Sequence, residues 1–149
     1  MGADLYITPL YEQQRQEWQP QFDEAARRRD GLKAGSEEHR QAQARVEECY
    51  GRLHEQGYFR DPYNDWDLLW KFGLSWWSDV IPMLDDKGRL TIRQVQRLLE
   101  MVKQRENIFE LKLAVLPAKE QRYFRSRYAD LQKFLNQAIE LNTPVDTWL

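Results

Sequence analysis

Apolar residues recur at helical spacing through the first third of the chain. On the second predicted helix they are spaced by four, three and four positions: Ala42, Val46, Cys49 and Leu53. On the first they fall close to a seven-residue repeat: Tyr11, Trp18, Phe22, Ala25 and Leu32. Because this spacing places side chains on one face of an α-helix, the pattern predicts a helical hairpin over residues 9–57.

Local signals should interrupt or end these helices. Pro20 lies inside the first apolar pattern, and a proline there removes a backbone hydrogen bond, so we expect a kink or a break just before it. The stretch from Gly31 to Gly35 should close the first helix. Ser36 should then cap the second helix through its hydroxyl group.

A second helical pattern fills the C-terminal third. Between Ile92 and Leu116 there is neither Gly nor Pro, and the apolar residues step by three and four positions. This predicts one helix of about 25 residues, roughly 37 Å long, with Thr91 as its cap. Glu106 is the one charged member of this seam, which leaves open a fray point, a helix break near Asn107 or a buried pairing.

The last predicted helix begins at Pro117, a residue that suits a first helical turn. Its inner row consists of Phe124, Tyr128, Leu131, Leu135 and Ala138. The junction between this helix and the preceding one is short, so we expect antiparallel neighbours and a second hairpin over residues 91–142.

The stretch between the two hairpins is rich in aromatic residues. Residues 57–84, called the aromatic segment below, hold four of the six tryptophans of the chain: Trp66, Trp70, Trp76 and Trp77. Asn64 or Asp65 should cap a short helix that ends at Gly73, and Ser75 should cap the next one. We expect the indole rings of this segment to form a hub on which both hairpins converge.

The two ends of the chain favour extended structure. Residues 3–8 alternate apolar and polar side chains. A single strand cannot stand alone, so it must pair within the chain, dock along the helices or pair with a second copy. The C-terminal TPVDTWL is the candidate partner. The predicted fold is therefore mainly α, a helical bundle of two long αα-hairpins around the aromatic segment, with a short N-terminal strand on the outside. We expect one helical domain over residues 1–149.

Composition narrows the choice of partner and compartment. The net charge of −2 argues against a general nucleic-acid binder, because neutralising phosphates requires a basic surplus. Cys49 is the only cysteine, which excludes an intramolecular disulfide and fits a reducing compartment. There is no apolar run of membrane-spanning length and no signal-peptide pattern at the start. We therefore expect a cytoplasmic protein that binds neither nucleic acid nor membrane.

The residues of reactive type are few and scattered. His39 and His54 lie fifteen positions apart on one predicted helix, about 22 Å, so they cannot share a metal ion. The glycines form no phosphate-binding loop, and we expect no cofactor and assign no catalytic residue. A pair of carboxylates stays open, since four acidic residues lie in or beside the aromatic segment: Asp61, Asp65, Asp67 and Asp79.

The aromatic segment has three interpretations. Its rings can simply fill the core, with the polar residues capping short helices. They can instead floor a pocket with a polar rim, suited to sugars, nucleobases or cations. They can also be partly exposed as the anchor of a protein interface, where Trp, Tyr and Arg contribute disproportionately to binding. The candidate ligand- or partner-binding residues are Arg60, Asp61, Tyr63, Asn64, Asp65, Trp66, Trp76 and Trp77.

The opening MGADLYI, together with GYFRDPYN and FGLSWW, resembles a group of small bacterial proteins of unknown function. These proteins share a Met-Gly-Ala-Asp-Leu-Tyr-Ile start and a middle rich in tyrosine and tryptophan. The resemblance runs over most of the chain and implies a bacterial, cytoplasmic, single-domain protein. It implies no activity, cofactor or partner, so no catalytic residue carries over.

Taken together, these observations favour a non-catalytic protein–protein interaction module, with self-association as one form of that interaction. The hypothesis rests on the aromatic segment and on an apolar stripe from Ile92 to Leu116 that is wider than one neighbouring helix covers. The alternative is a small-molecule binder or minor enzyme with a polar-rimmed aromatic pocket between Arg60 and Trp66. Small size also leaves open an accessory role in bacterial conflict or phage defence.

Overall fold

A computed structural model describes residues 1–149. The chain is mostly helical, at 65%, with a small four-stranded antiparallel sheet. The α-helices are α1 (Thr8–Asp30), α2 (Glu37–Leu53), α3 (Leu68–Lys71), α4 (Ile92–Gln104), α5 (Glu106–Ala114) and α6 (Ala118–Glu140). A π-helical turn (Trp76–Val80) and a 3₁₀ turn (Ile81–Met83) follow α3. The strands are β1 (Gly2–Tyr6), β2 (Tyr58–Pro62), β3 (Arg89–Leu90) and β4 (Val145–Trp148). None of the helices has the length and apolar composition needed to cross a membrane.

The chain forms two compact units. The hairpin unit is residues Thr8–Tyr58, and the sheet unit is Met1–Ile7 together with Phe59–Leu149. Nearly all of the aromatic segment therefore belongs to the sheet unit, with the C-terminal helices. The predicted single domain, and the convergence of both hairpins on the aromatic segment, stay predictions.

The hairpin unit has the two long helices that the apolar spacing predicts. All four inner-face residues of α2 are buried: Ala42, Val46, Cys49 and Leu53. Ser36 caps α2 as predicted, since its hydroxyl oxygen accepts a hydrogen bond of 3.2 Å from the backbone N–H of His39. Of the predicted kink or break before Pro20, the break is wrong, because α1 continues through this residue, and the kink stays a prediction. Pro20 is exposed, so water can bond to the backbone carbonyl that the proline leaves without a partner.

The sheet has the strand order β2-β1-β4-β3. β1 and β4 pair antiparallel, with Leu5 opposite Thr147, so the predicted pairing of the N-terminal strand with the C-terminal stretch is confirmed. The prediction that the N-terminal strand lies on the outside is wrong. β1 has a neighbour along each edge, and its alternate residues Ala3 and Leu5 are completely buried. The apolar alternation thus reflects an inner strand with one face in the core.

The predicted single helix over residues 92–116 is divided at Arg105 into α4 and α5. The open question about Glu106 is thereby answered: the helix breaks next to it, and its carboxylate accepts a hydrogen bond of 2.7 Å from the hydroxyl of Tyr128 on α6. On α5, Phe109 stacks on Phe72, with ring centroids 4.4 Å apart and planes within 5°. These tertiary contacts outweigh the uninterrupted helical propensity of the sequence.

The last helix forms as predicted. α6 begins at Ala118, directly after Pro117. Its predicted inner row is buried throughout: Phe124, Tyr128, Leu131, Leu135 and Ala138. The C-terminal helices therefore form the apolar core of the sheet unit together with the buried rings of the aromatic segment.

Candidate functional site

A groove in the sheet unit is lined by the two most exposed tryptophans of the aromatic segment. Trp70 is 61% exposed and Trp77 is 59% exposed. The groove has a volume of about 670 Å³, within the range of ordinary ligand sites. It is lined by Met1, Tyr63, Asn64, Asp65, Asp67, Trp70, Lys71 and Trp77. We call it the Trp77 groove.

The buried carboxylate of Asp61 holds the segments around the groove together. Its Oδ1 atom accepts a hydrogen bond of 2.7 Å from the backbone N–H of Leu68. Its Oδ2 atom accepts bonds of 3.1 Å from the backbone N–H of Leu69 and 2.8 Å from the indole Nε1 of Trp76. A buried carboxylate is tolerated only when donors surround it, and these three donors provide that. Asp61 thus ties β2 to the start of α3 and to the π-helical turn.

The short helix α3 begins with a side-chain cap on the wall of the groove. The Asp67 carboxylate accepts a hydrogen bond of 3.1 Å from the backbone N–H of Trp70. The prediction that Asn64 or Asp65 caps this helix is wrong. Asn64 instead accepts a bond of 2.8 Å from the backbone N–H of Trp66, which closes a turn before the helix. Asp65 is exposed and available to solvent.

The end of α3 and the start of the next turn follow the predicted signals. Gly73 has a φ of +70°, the left-handed conformation that ends a helix, and glycine adopts it without strain. Ser75 caps the π-helical turn by accepting a bond of 3.3 Å from the backbone N–H of Ser78. The backbone of the turn places Trp76 in the core, at 1% exposure, and Trp77 at the surface.

The aromatic surface of the groove is supported by neighbouring side chains. The rings of Tyr63 and Trp77 lie with centroids 6.0 Å apart and planes tilted by 47°. Lys112 donates a bond of 2.8 Å to the backbone carbonyl of Trp70, and its ammonium lies 5.5 Å from the centre of the Trp70 ring. The ammonium of Lys71 lies over the ring of Phe124, at 4.9 Å. Lys112 thus holds Trp70 in place through a hydrogen bond and a cation–π contact, while Lys71 contacts a ring of α6.

The groove has an unusual concentration of negative charge. Burial of the Asp67 carboxyl, and then the negative charge of Asp61, raise its pKa from 3.8 to about 7. Burial also raises the pKa of Tyr63, and the charges of Asp67, Asp4 and Asp61 raise it further. The Tyr63 hydroxyl is buried and has no hydrogen-bond partner within the protein. A buried polar atom without a partner is rare and costly in native structures.

The structure brings four of the eight sequence-predicted site residues together and separates the rest. Tyr63, Asn64, Asp65 and Trp77 line the groove. Asp61 and Trp76 are buried beneath the surface and bond to each other.

The remaining two predicted site residues lie elsewhere in the sheet unit. Arg60 pairs with Asp4 across the sheet at 3.2 Å. Trp66 stacks on Phe124 and meets Tyr123 edge-on, with centroids 5.9 and 5.0 Å apart. The contiguous run from Arg60 to Trp66 therefore does not form one pocket rim. Arg60 and Asp61 point to opposite faces of the sheet as neighbours on β2, and Trp66, beyond the end of β2, packs on α6.

Four residues of the groove were not among the predicted site residues: Met1, Asp67, Trp70 and Lys71. A signal for Asp67 and Trp70 was available. Asp67 precedes Leu-Leu-Trp70, the spacing at which a capping carboxylate bonds the backbone N–H three residues later. A helix starting at Leu68 places Leu68 and Leu69 in the core, and turns Trp70 to the surface.

The arrangement supports binding better than catalysis. Asp67 has a pKa suited to proton transfer near neutral pH. A mechanism with two carboxylates needs a second one that can reach a substrate, and Asp61 is 1% exposed and bonded to the backbone, to Trp76 and to the Asp67 carboxyl. No group of three or more His, Cys, Asp or Glu side chains is placed to hold a metal ion.

The sequence matches no protein-family model, and neither a curated protein nor a solved structure matches the chain.

Proposed function

We propose that the protein is a non-catalytic protein–protein interaction module and that its partner binds at the Trp77 groove. The observation that carries the proposal is the exposure of Trp70 and Trp77, at 61% and 59%, while the backbone of Trp70 is bonded to the side chains of Asp67 and Lys112. Exposed tryptophans on a rigid support are typical of interface anchors, because a large ring contributes contact area and loses little conformational freedom on binding.

Composition supports the proposed setting of this module. The net charge of −2 and the single, buried Cys49 favour a cytoplasmic protein that acts on other proteins. A membrane or a nucleic acid is not the proposed partner. A second copy of the chain is one form that the partner could take.

A matched pair of variants tests the proposal. Trp77→Ala removes an indole from the groove, whereas Trp148→Ala removes an indole of 76% exposure on β4, outside the groove. Both side chains are exposed, so both variants should fold, and circular dichroism would check this. We expect a partner retained from cells of the source organism by the wild type and by Trp148→Ala to be lost with Trp77→Ala. Equal retention by all three proteins would contradict the proposal.

Sedimentation of the purified protein at micromolar concentration separates the two kinds of partner. If the wild type forms a dimer and Trp77→Ala is a monomer, the second copy is the partner. If both sediment as monomers, the partner is a different protein.

The second candidate function is a small-molecule binder that uses the same groove. Its volume of about 670 Å³ is sufficient for such a ligand. The observation in its favour is the buried Tyr63 hydroxyl, which has no partner within the protein. A screen of sugars, nucleotides and amines read by tryptophan fluorescence tests it. A response that is lost in Trp77→Ala and kept in Trp148→Ala would favour the small molecule over the protein partner.

A further inference from the structure

We propose that the Trp77 groove binds an arginine side chain presented by the partner, with the guanidinium group against the Asp65 and Asp67 carboxylates and the Tyr63 and Trp77 rings. The inference rests on the proposed function and specifies its partner chemistry. It is argued from the charge, the rings and the polar atoms that line the groove.

The first argument is charge complementarity. Neither Asp65 nor Asp67 forms a salt bridge within the protein, and Asp61 adds a third negative charge close to Asp67. Lys71 also lines the groove, but its ammonium lies over the ring of Phe124. Asp65 and Asp67 therefore have no ion-pair partner within the protein, and a cationic side chain from a partner would supply one and favour the ionised form of Asp67.

The second argument concerns the rings. Trp77 presents an exposed face next to Tyr63, and flat guanidinium groups stack on such faces. Arginine also has five N–H donors, enough to bond a carboxylate and a further acceptor at once. The carboxylates of Asp65 and Asp67 are two acceptors of this kind within the same lining. A lysine ammonium has the charge but neither the plane nor the number of donors.

A short peptide provides the probe. The full-length chain, labelled with ¹⁵N, is titrated with acetyl-Gly-Arg-Gly-amide, and the indole N–H signals of Trp70 and Trp77 are followed by NMR. The matched control is the same peptide with citrulline, which keeps the shape of arginine and has no charge. We expect saturable shifts with the arginine peptide and an affinity about tenfold weaker with citrulline, given the usual strength of a cation–π contact with a partly exposed ion pair.

Two variants test the part played by the carboxylates. Asp67→Asn should weaken binding of the arginine peptide, whereas Asp86→Asn, at an exposed position outside the groove, should leave it unchanged. Binding of the arginine peptide should also weaken as the pH falls from about 8 to about 5, because Asp67 becomes protonated over this range. The other charged or titratable groups near Asp67 are Asp61, Asp65, Tyr63, Lys71, Lys112 and the amino group of Met1.

The outcomes separate this inference from the function on which it rests. Equal binding of the arginine and citrulline peptides would overturn the arginine assignment and leave the groove as a binding surface. If neither peptide shifts the Trp77 signal while the Trp77→Ala variant still loses the partner, the arginine assignment is likewise overturned and the groove remains a binding surface. A Trp77 signal that shifts with protein concentration alone would show a second copy in the groove and would also overturn it. If the partner is kept with Trp77→Ala, the proposed function itself fails.

Discussion

Replacing Asp67 with asparagine should stabilise the protein at neutral and alkaline pH. Asparagine keeps a side-chain oxygen that can accept the bond from the backbone N–H of Trp70, and it cannot ionise. In the folded protein the pKa of Asp67 is about 7, against an ordinary value of 3.8, so folding favours the protonated carboxyl. Asp67 therefore stabilises the fold at low pH, and this contribution is lost as the pH rises towards 7.

The size of the effect follows from the difference between the two pKa values. A difference of about three units corresponds to roughly 4 kcal/mol if the carboxyl were fully buried. Asp67 is half-buried, so solvent screening reduces this to about 1–2 kcal/mol. We expect the free energy of unfolding of Asp67→Asn to match that of the wild type near pH 4. It should exceed the wild-type value by about 1–2 kcal/mol at pH 8.

Urea unfolding followed by circular dichroism at a series of pH values measures this difference directly. The exposed Asp86→Asn variant is the control, because it changes the net charge equally outside the groove. The difference between Asp67→Asn and the wild type should grow between about pH 4 and pH 7 and then level off. A difference that is independent of pH, or a variant that is less stable than the wild type at pH 8, would refute the reasoning.

Four further substitutions test predictions about stability, each measured by urea unfolding at neutral pH. Asp61→Asn should lower the free energy of unfolding by about 2–3 kcal/mol, because an amide cannot accept all three buried hydrogen bonds. A loss no larger than that of an exposed substitution would contradict this prediction. Phe109→Ala should cost about 3–5 kcal/mol through loss of a buried stacked ring, and a smaller loss would mean that the site collapses around the cavity. Gly51→Ala should stabilise α2 by about 0.5–1 kcal/mol, since its added methyl group meets no atom within 4 Å. Gly2→Ala should instead destabilise by about 1–3 kcal/mol, because the methyl group would lie 2.8 Å from the backbone oxygen of Asp61. Effects of the same sign in the two glycine variants would contradict this pair of predictions.

The helices could be predicted from the sequence where one face alone determines burial. The inner faces of α2 and α6 follow the apolar spacing, and the caps Ser36 and Thr91 lie where their residue types indicate. The break at Arg105 could not be predicted in this way. Nothing in the local sequence opposes a helix there, and the contacts of Phe109 and Glu106 with other elements decide the outcome.

The sheet was harder to predict than the helices. β3 has only two residues, too few for any alternation to be visible. β2 lies within the aromatic segment, where rings suit a strand and a buried helix equally well. β1 lies between β2 and β4, so its inner position depends on β2, a strand that the sequence did not indicate.

Only part of the candidate site could be predicted, because the rest also depends on contacts between distant residues. Trp77 is exposed and Trp76 is buried because of the direction of the π-helical turn. Two adjacent tryptophans in the sequence do not indicate which of them faces the core. The role of Asp61 depends on Trp76, fifteen positions later, whose indole bonds to it. Polar residues in an aromatic stretch can line a pocket or fix the backbone, and only the three-dimensional arrangement separates the two roles.

A site-specific photocrosslink inside living cells tests the central claim, that the Trp77 groove is where a partner binds. The photoreactive residue p-benzoylphenylalanine replaces Trp77 in one variant and the exposed Trp148, outside the groove, in the other. We expect a discrete crosslinked species from position 77 and none from position 148. The same species from both positions, or none from position 77 in a folded protein, would contradict the claim.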